Sequence, residues 1–104
     1  KEPLMHKSII IDTKHTASLC ILYSDSVQKD RNKEVIADAA IQEALVDILS
    51  APDLFDTVYL DPDFRCNALT EIGLASQNIE NLKKASTRII EWVEQSEFFV
   101  AVDY

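Results

Sequence analysis

The 104-residue sequence predicts a single α+β domain spanning residues 1–104: a small sheet of about four strands with two or three helices, in the order β-β-α-β-α-β. Three observations carry this expectation. Short runs of β-branched and aromatic residues recur at Ile9-Ile10-Ile11, Leu19-Cys20-Ile21-Leu22-Tyr23 and Phe98-Phe99-Val100-Ala101-Val102, as strands require. Between them lies an alanine- and leucine-rich stretch, Glu34 to Ser50, without glycine or proline, as a helix requires. A composition of 47% hydrophobic and 27% charged residues supplies enough apolar surface for a packed core at this length.

Taken in order, His6 to Asp12 reads as a first strand, Thr13-Lys14-His15 as a turn, and Thr16 to Ser24 as a second strand. Both apolar runs are continuous rather than alternating, which predicts that both faces are partly covered. Asp25 to Lys33 is polar and reads as a loop or as the first turns of a helix, since Ser24, Asp25 and Ser26 are each good N-caps. Over Glu34–Ser50, Ala37, Ile41, Ala44, Leu45, Ile48 and Leu49 fall on one stripe of a helical wheel. Glu43 and Asp47, four residues apart, fall on the opposite face. Pro52 then ends the helix. Thr57-Val58-Tyr59-Leu60 predicts a short strand, broken by Asp61-Pro62-Asp63, and Asn67 is a candidate helix cap. From Ala68 to Ser96, Leu69, Ile72, Ser76, Ile79, Leu82, Ser86, Ile89 and Val93 recur at helical spacing. One unbroken helix there would be about 44 Å long. An interruption near Gly73–Asn78 is therefore expected, with Ser76 capping the second piece. Glu97 to Tyr104 closes the chain as a strand. A fully helical fold is the competing class, because short apolar runs do not by themselves separate strand from buried helix.

The formal net charge of −8 is unevenly placed. Residues 1–33 carry six basic and four acidic groups, and residues 64–104 carry four basic and six acidic groups. Residues 34–63 hold Glu34, Asp38, Glu43, Asp47, Asp53, Asp56, Asp61 and Asp63 with no lysine or arginine, so this segment alone accounts for a charge of −8. Carboxylates stay hydrated unless paired, so most of these belong at the surface. A patch of one sign raises the local potential and speeds encounter with a basic partner. Tyr59 and Phe64 lie among the acids and suit aromatic anchors inside a charged rim. A plainly solvated acidic face has the same composition, because net negative charge favours solubility.

Other chemistries find less support. The acidic balance argues against nucleic acid as a partner, and the apolar runs are too short to cross a bilayer. With a single glycine there is no glycine-rich phosphate cradle. Cys20 and Cys66 define no disulfide framework and read as reduced thiols, although a positive helix end beside Cys66 would lower its pKa. His6 and His15 show no zinc-ligand spacing with them. Asp56 with Asp61-Pro62-Asp63 is the one grouping suited to a divalent metal, but no lysine, arginine or glycine lies nearby to hold phosphate. The expectation is a protein that is not an enzyme and has no cofactor. No basic-then-apolar leader opens the chain, so a cytoplasmic location is expected.

The closing run Glu97-Phe98-Phe99-Val100-Ala101-Val102-Asp103-Tyr104 is similar, over eight residues, to the last strand of a cloacin-type group of immunity proteins. In size and acidity the chain resembles the immunity proteins of colicins and of contact-dependent inhibition systems. The resemblance implies a stoichiometric inhibitor whose partner is a basic nuclease toxin domain, the inhibitor being a monomer before the complex forms. The residues expected to meet such a partner are Glu43, Asp47, Asp53, Asp56, Tyr59, Asp61, Asp63 and Phe64. The alternative is an acidic secretion-type chaperone or adaptor that dimerises through the apolar stripe from Leu69 to Val93.

Overall fold

A computed structural model describes residues 15–60 and 71–101. The expectations for a strand over 6–12, for the first two residues of a turn over 13–15, for a cap at Asn67 and for a strand continuing through 102–104 lie outside the described residues, and His15, expected in that turn, instead opens a strand. The fold is α+β. Strand β1 (His15–Tyr23) leads into a short helix α1 (Asp25–Gln28) and a long helix α2 (Arg31–Leu49). Strands β2 (Val58–Leu60) and β3 (Glu71–Ser76) follow, then helix α3 (Ile79–Gln95) and strand β4 (Phe99–Ala101). The four strands form one sheet in the order β2-β3-β1-β4, and every neighbouring pair is antiparallel.

Two sequence expectations are corrected here. The segment around Gly73 is a strand rather than an interrupted helix, and the N-cap of α3 is Asn78, not Ser76. Ile72, Gly73, Leu74 and Ala75 are buried in succession, because β3 is an inner strand paired to β2 on one edge and β1 on the other. A run buried on both faces has no period of two, and the helical spacing of Leu69, Ile72 and Ser76 was coincidental. The described order is therefore β-α-α-β-β-α-β. In β1, buried Leu19 and Ile21 alternate with exposed Ser18 and Leu22, and half-buried Cys20 shows the second face covered only in part. That alternation is what an antiparallel strand with one covered face shows.

The helices have local causes. The Asp30 carboxylate accepts a hydrogen bond from the Asn32 amide at 2.9 Å, so α2 starts at Arg31, ahead of the Glu34 that composition marked as its beginning. On α2, Ala37, Ile41, Ala44 and Leu45 are buried and Ile48 and Leu49 half-buried, as the wheel predicts. The Asn78 side chain accepts from the Glu80 and Asn81 amides at 3.0 and 3.1 Å. Ser76, buried at the end of β3, accepts from the Asn78 amide at 3.0 Å and sets up that cap.

Helix α3 touches all four strands and α2, so it is the keystone of the core. Its Leu82, Ala85, Ile89 and Val93 pack with Leu19, Ile21, Ile72, Leu74 and Phe99 from the sheet and with Ala37, Ile41 and Leu45 from α2. Phe99 stacks on Tyr23, its partner across the strands, at 5.6 Å and tilts against Trp92 at 6.2 Å. The Ser24 amide donates to the Phe98 carbonyl at 2.8 Å and the Ser24 hydroxyl to the Glu97 carbonyl at 2.9 Å. These bonds tie the start of β4 to the start of α1.

Candidate functional site

Four of the eight sequence-predicted residues are held by α2 and the turn that follows it, and Tyr59 by β2. Glu43 and Asp47 are exposed on α2, away from its buried stripe. The turn over 50–57 is closed by the Leu54 and Phe55 amides donating to the Ala51 carbonyl at 2.9 and 2.8 Å. Leu54 drops fully into the core, which pins the turn and leaves Asp53, Phe55 and Asp56 at the surface. Thr57 donates to the Leu54 carbonyl at 2.8 Å and accepts from the Asn81 side chain at 3.0 Å, fastening the turn to the first turn of α3. Asp56 has φ 64°, in the left-handed region that aspartate tolerates better than most side chains. Asp56 and Tyr59 line one shallow hollow of about 230 Å³ together with Thr57, Gln77 and Asn78. Asp61, Asp63 and Phe64 lie outside the described residues.

The carboxylates differ in what they meet. Asp53 receives two hydrogen bonds from Arg88 on α3, at 3.0 and 2.7 Å, and has the Lys84 ammonium at 4.0 Å. The Arg88 guanidinium holds the Asp53 carboxyl below its ordinary range, and Asp53 in turn raises the pKa of Arg88. Asp53 is thus matched within the fold and joins the α2–β2 turn to α3. Asp38 accepts a hydrogen bond from the Tyr23 hydroxyl at 2.6 Å. Among the described residues the ion pairs are those of Asp53, so Glu34, Glu43, Asp47 and Asp56 meet no cation.

Helix polarity deepens this field. The C-terminal end of a helix carries a partial negative charge. The last turn of α2 holds no basic residue, and Asp47 sits near that end with Asp56 in the turn beyond it. A carboxylate placed to stabilise the helix would sit at the other end. Here side chains and backbone dipole add with the same sign.

Helix α2 also exposes apolar side chains that the sequence reading did not single out. Val35 and Val46 are each 64% exposed and Ile36 is 56% exposed. The signal was present in the sequence as a second apolar set on a helix whose first set already fills the core.

Elsewhere, a mostly apolar recess of about 510 Å³ lies between β1 and α3, lined by Ala17, Leu19, Ile79, Leu82 and Ile90 among others, with Lys83 as its one charged wall. Among the described residues no three His, Cys, Asp or Glu side chains converge as a metal site would need. His15 is exposed on β1, and Cys20 is a half-buried free thiol. No described helix is long and apolar enough to cross a membrane. Of the stripe from Leu69 to Val93 expected to support dimerisation, Leu82, Ile89 and Val93 are buried in the core of the chain itself and Ile79 is exposed, while Leu69 lies outside the described residues.

No family model, no curated protein and no solved structure matches the chain.

Proposed function

We propose that this chain is a stoichiometric inhibitor of the immunity type, which binds a basic nuclease toxin domain through the acidic surface of α2 and the α2–β2 turn. The observation that carries the reading is the run from 34 to 63, with eight carboxylates and no base, of which only Asp53 meets a cation among the described residues. Glu43, Asp47 and Asp56 present unmatched charge, and the C-terminal dipole of α2 adds to it. A nuclease surface built to hold phosphates offers the complementary charge. Tyr59, 47% exposed beside Asp56, is the aromatic anchor of this surface. The role is one of binding, without cofactor or chemistry of its own.

The test is association with a basic nuclease domain, sought among the products of neighbouring reading frames or by pull-down from the source cell, followed by stopped-flow at rising salt and by nuclease activity at one-to-one stoichiometry. The expected result is loss of nuclease activity at equivalence and an association rate that falls steeply with ionic strength. Replacing Glu43, Asp47 and Asp56 together by their amides is expected to slow association and flatten the salt dependence. An association rate independent of salt, or unchanged in the triple amide variant, overturns the reading.

A further inference from the structure

We infer that the solvent face of α2 is a two-heptad helix seam whose occupant is a basic amphipathic helix of the partner; this rests on the binding role proposed above and names the element that docks. Counting along α2, the exposed residues Val35, Ala39, Gln42 and Val46 follow one another at intervals of four, three and four. That is the d-a-d-a spacing by which one helix receives another. The buried residues Ala37, Ile41 and Ala44 lie on the other side of the same helix, and Leu45 lies between the two faces. Thus α2 has one apolar stripe for its own core and a second, narrower one for something else. A helix that only covered a core would be polar on its outer face. From Val35 to Val46 the seam is roughly 16 Å long. It is a straight ridge, which suits a partner helix better than a strand or a loop.

Charge decides the occupant. Exposed Glu43 directly follows Gln42, and half-buried Asp38, whose Oδ1 accepts from the Tyr23 hydroxyl, directly precedes Ala39, so a carboxylate stands on each flank of the seam in the positions that select partners in paired helices. Residues 34–63 contain no lysine or arginine. A second copy would set the carboxylates at 38 and 43 against their own kind along the seam, and only an antiparallel copy would bring Arg31 and Lys33 of the first turn towards Asp47 of the last. A helix with lysine or arginine on its flanks meets opposite charge. Gln42 within the seam and the small side chain of Ala39 restrict register and approach, in the way a polar residue in such a seam specifies its pairing.

The probe is a 21-residue peptide with leucine at the a and d positions and lysine at e and g, added to the isotopically labelled full chain. Its mutual repulsion keeps it monomeric. A control peptide carries glutamate at e and g. The expected result is saturable one-to-one binding of the lysine peptide, with amide shifts centred on residues 35–47, and no binding of the control. The double variant Val35→Ser/Val46→Ser alters only exposed side chains, so it keeps the parent's melting temperature. It is expected to bind the peptide at least about tenfold more weakly, equivalent to 1.4 kcal/mol. Shifts centred elsewhere, unchanged affinity in the double variant, or equal binding of both peptides overturns the inference. So does a concentration-dependent dimer of the chain alone that the double variant abolishes, because the occupant is then a second copy. With the nuclease partner, the two proposals separate. If the amide variants slow association and the serine variants change nothing, the acidic-surface reading stands and the seam falls. If the serine variants weaken the complex and the amide variants do not, the helix-on-helix contact stands, and the basic character of its occupant falls with the electrostatic reading.

Discussion

Leu54 and Phe55 are adjacent in the turn that carries Asp53 and Asp56, yet they should respond in opposite ways to truncation. Leu54 is fully buried among the core residues, whereas Phe55 is 61% exposed. Leu54→Ala removes three carbons from a side chain with no exposed surface, which costs about 2.4 kcal/mol in lost transfer energy. The cavity left behind adds to this, because the turn is held by the Ala51 carbonyl and by Asn81 and cannot collapse freely. The expected total is about 3–4 kcal/mol, a large part of the stability of a domain this size. Phe55→Ala should change stability by less than about 0.5 kcal/mol. Urea denaturation followed by circular dichroism measures both, and the midpoint of Leu54→Ala should fall by roughly 1–3 M with an unchanged slope. A loss below about 1 kcal/mol for Leu54→Ala, or an equal loss for Phe55→Ala, refutes the claim that this turn is positioned by packing from beneath.

Three further outcomes follow from the same geometry. Asn78→Ala removes the acceptor for two amides at the start of α3 and should cost about 1 kcal/mol, whereas Asn78→Asp should retain most of the stability; thermal melts of the two variants check this. Because Arg88 lowers the Asp53 pKa below its ordinary 3.8 in the folded chain, the pair stabilises the fold above that value, and its contribution is lost as pH falls through the lowered one. The stability gap between the parent and Asp53→Asn, measured by urea midpoints from neutral pH downwards, should therefore close in acid, and a gap constant to pH 2 contradicts the pairing. Gly73 is buried on an inner strand opposite Ser18 and has no positive φ, so it serves there by lacking a side chain. Gly73→Val should overpack the sheet and cost about 1–3 kcal/mol, seen as a lower melting temperature, with Gly73→Ala losing less.

Much of the architecture was legible because local chemistry and burial agreed. The stripe Ala37-Ile41-Ala44-Leu45 could face only a core, and Pro52 closed the helix behind it. Tyr59 and its neighbours formed a strand where β propensity and the flanking breaks coincided. The reading failed at β3, where tertiary pairing on both edges overrode the pattern: after exposed Glu71 its residues are buried in unbroken succession and lack the alternation that marks a strand. Of the candidate surface, the excess of acid was readable as composition, and the outward position of Glu43 and Asp47 followed from the wheel. The matching of Asp53 by Arg88 was not, since those residues are 35 apart and only the packing of α3 beside the turn brings them together. The outer valines of α2 were visible as letters. Their meaning needed the exposure of the face they occupy.

The central position of β1 sets the order in which the chain can assemble. Its hydrogen-bonding partners are β3, about 50 residues downstream, and β4, about 75 residues downstream. A nascent chain therefore makes this inner strand before either partner and holds it unpaired at least until β3 emerges. Helix α2, with local hydrogen bonds only, has no such wait and is complete long before the strand that precedes it finds a neighbour. Synthesis of this protein thus includes an interval in which a sticky strand and a doubly apolar helix are both uncovered, and quick capture by α3 and β4 is what separates productive folding from aggregation.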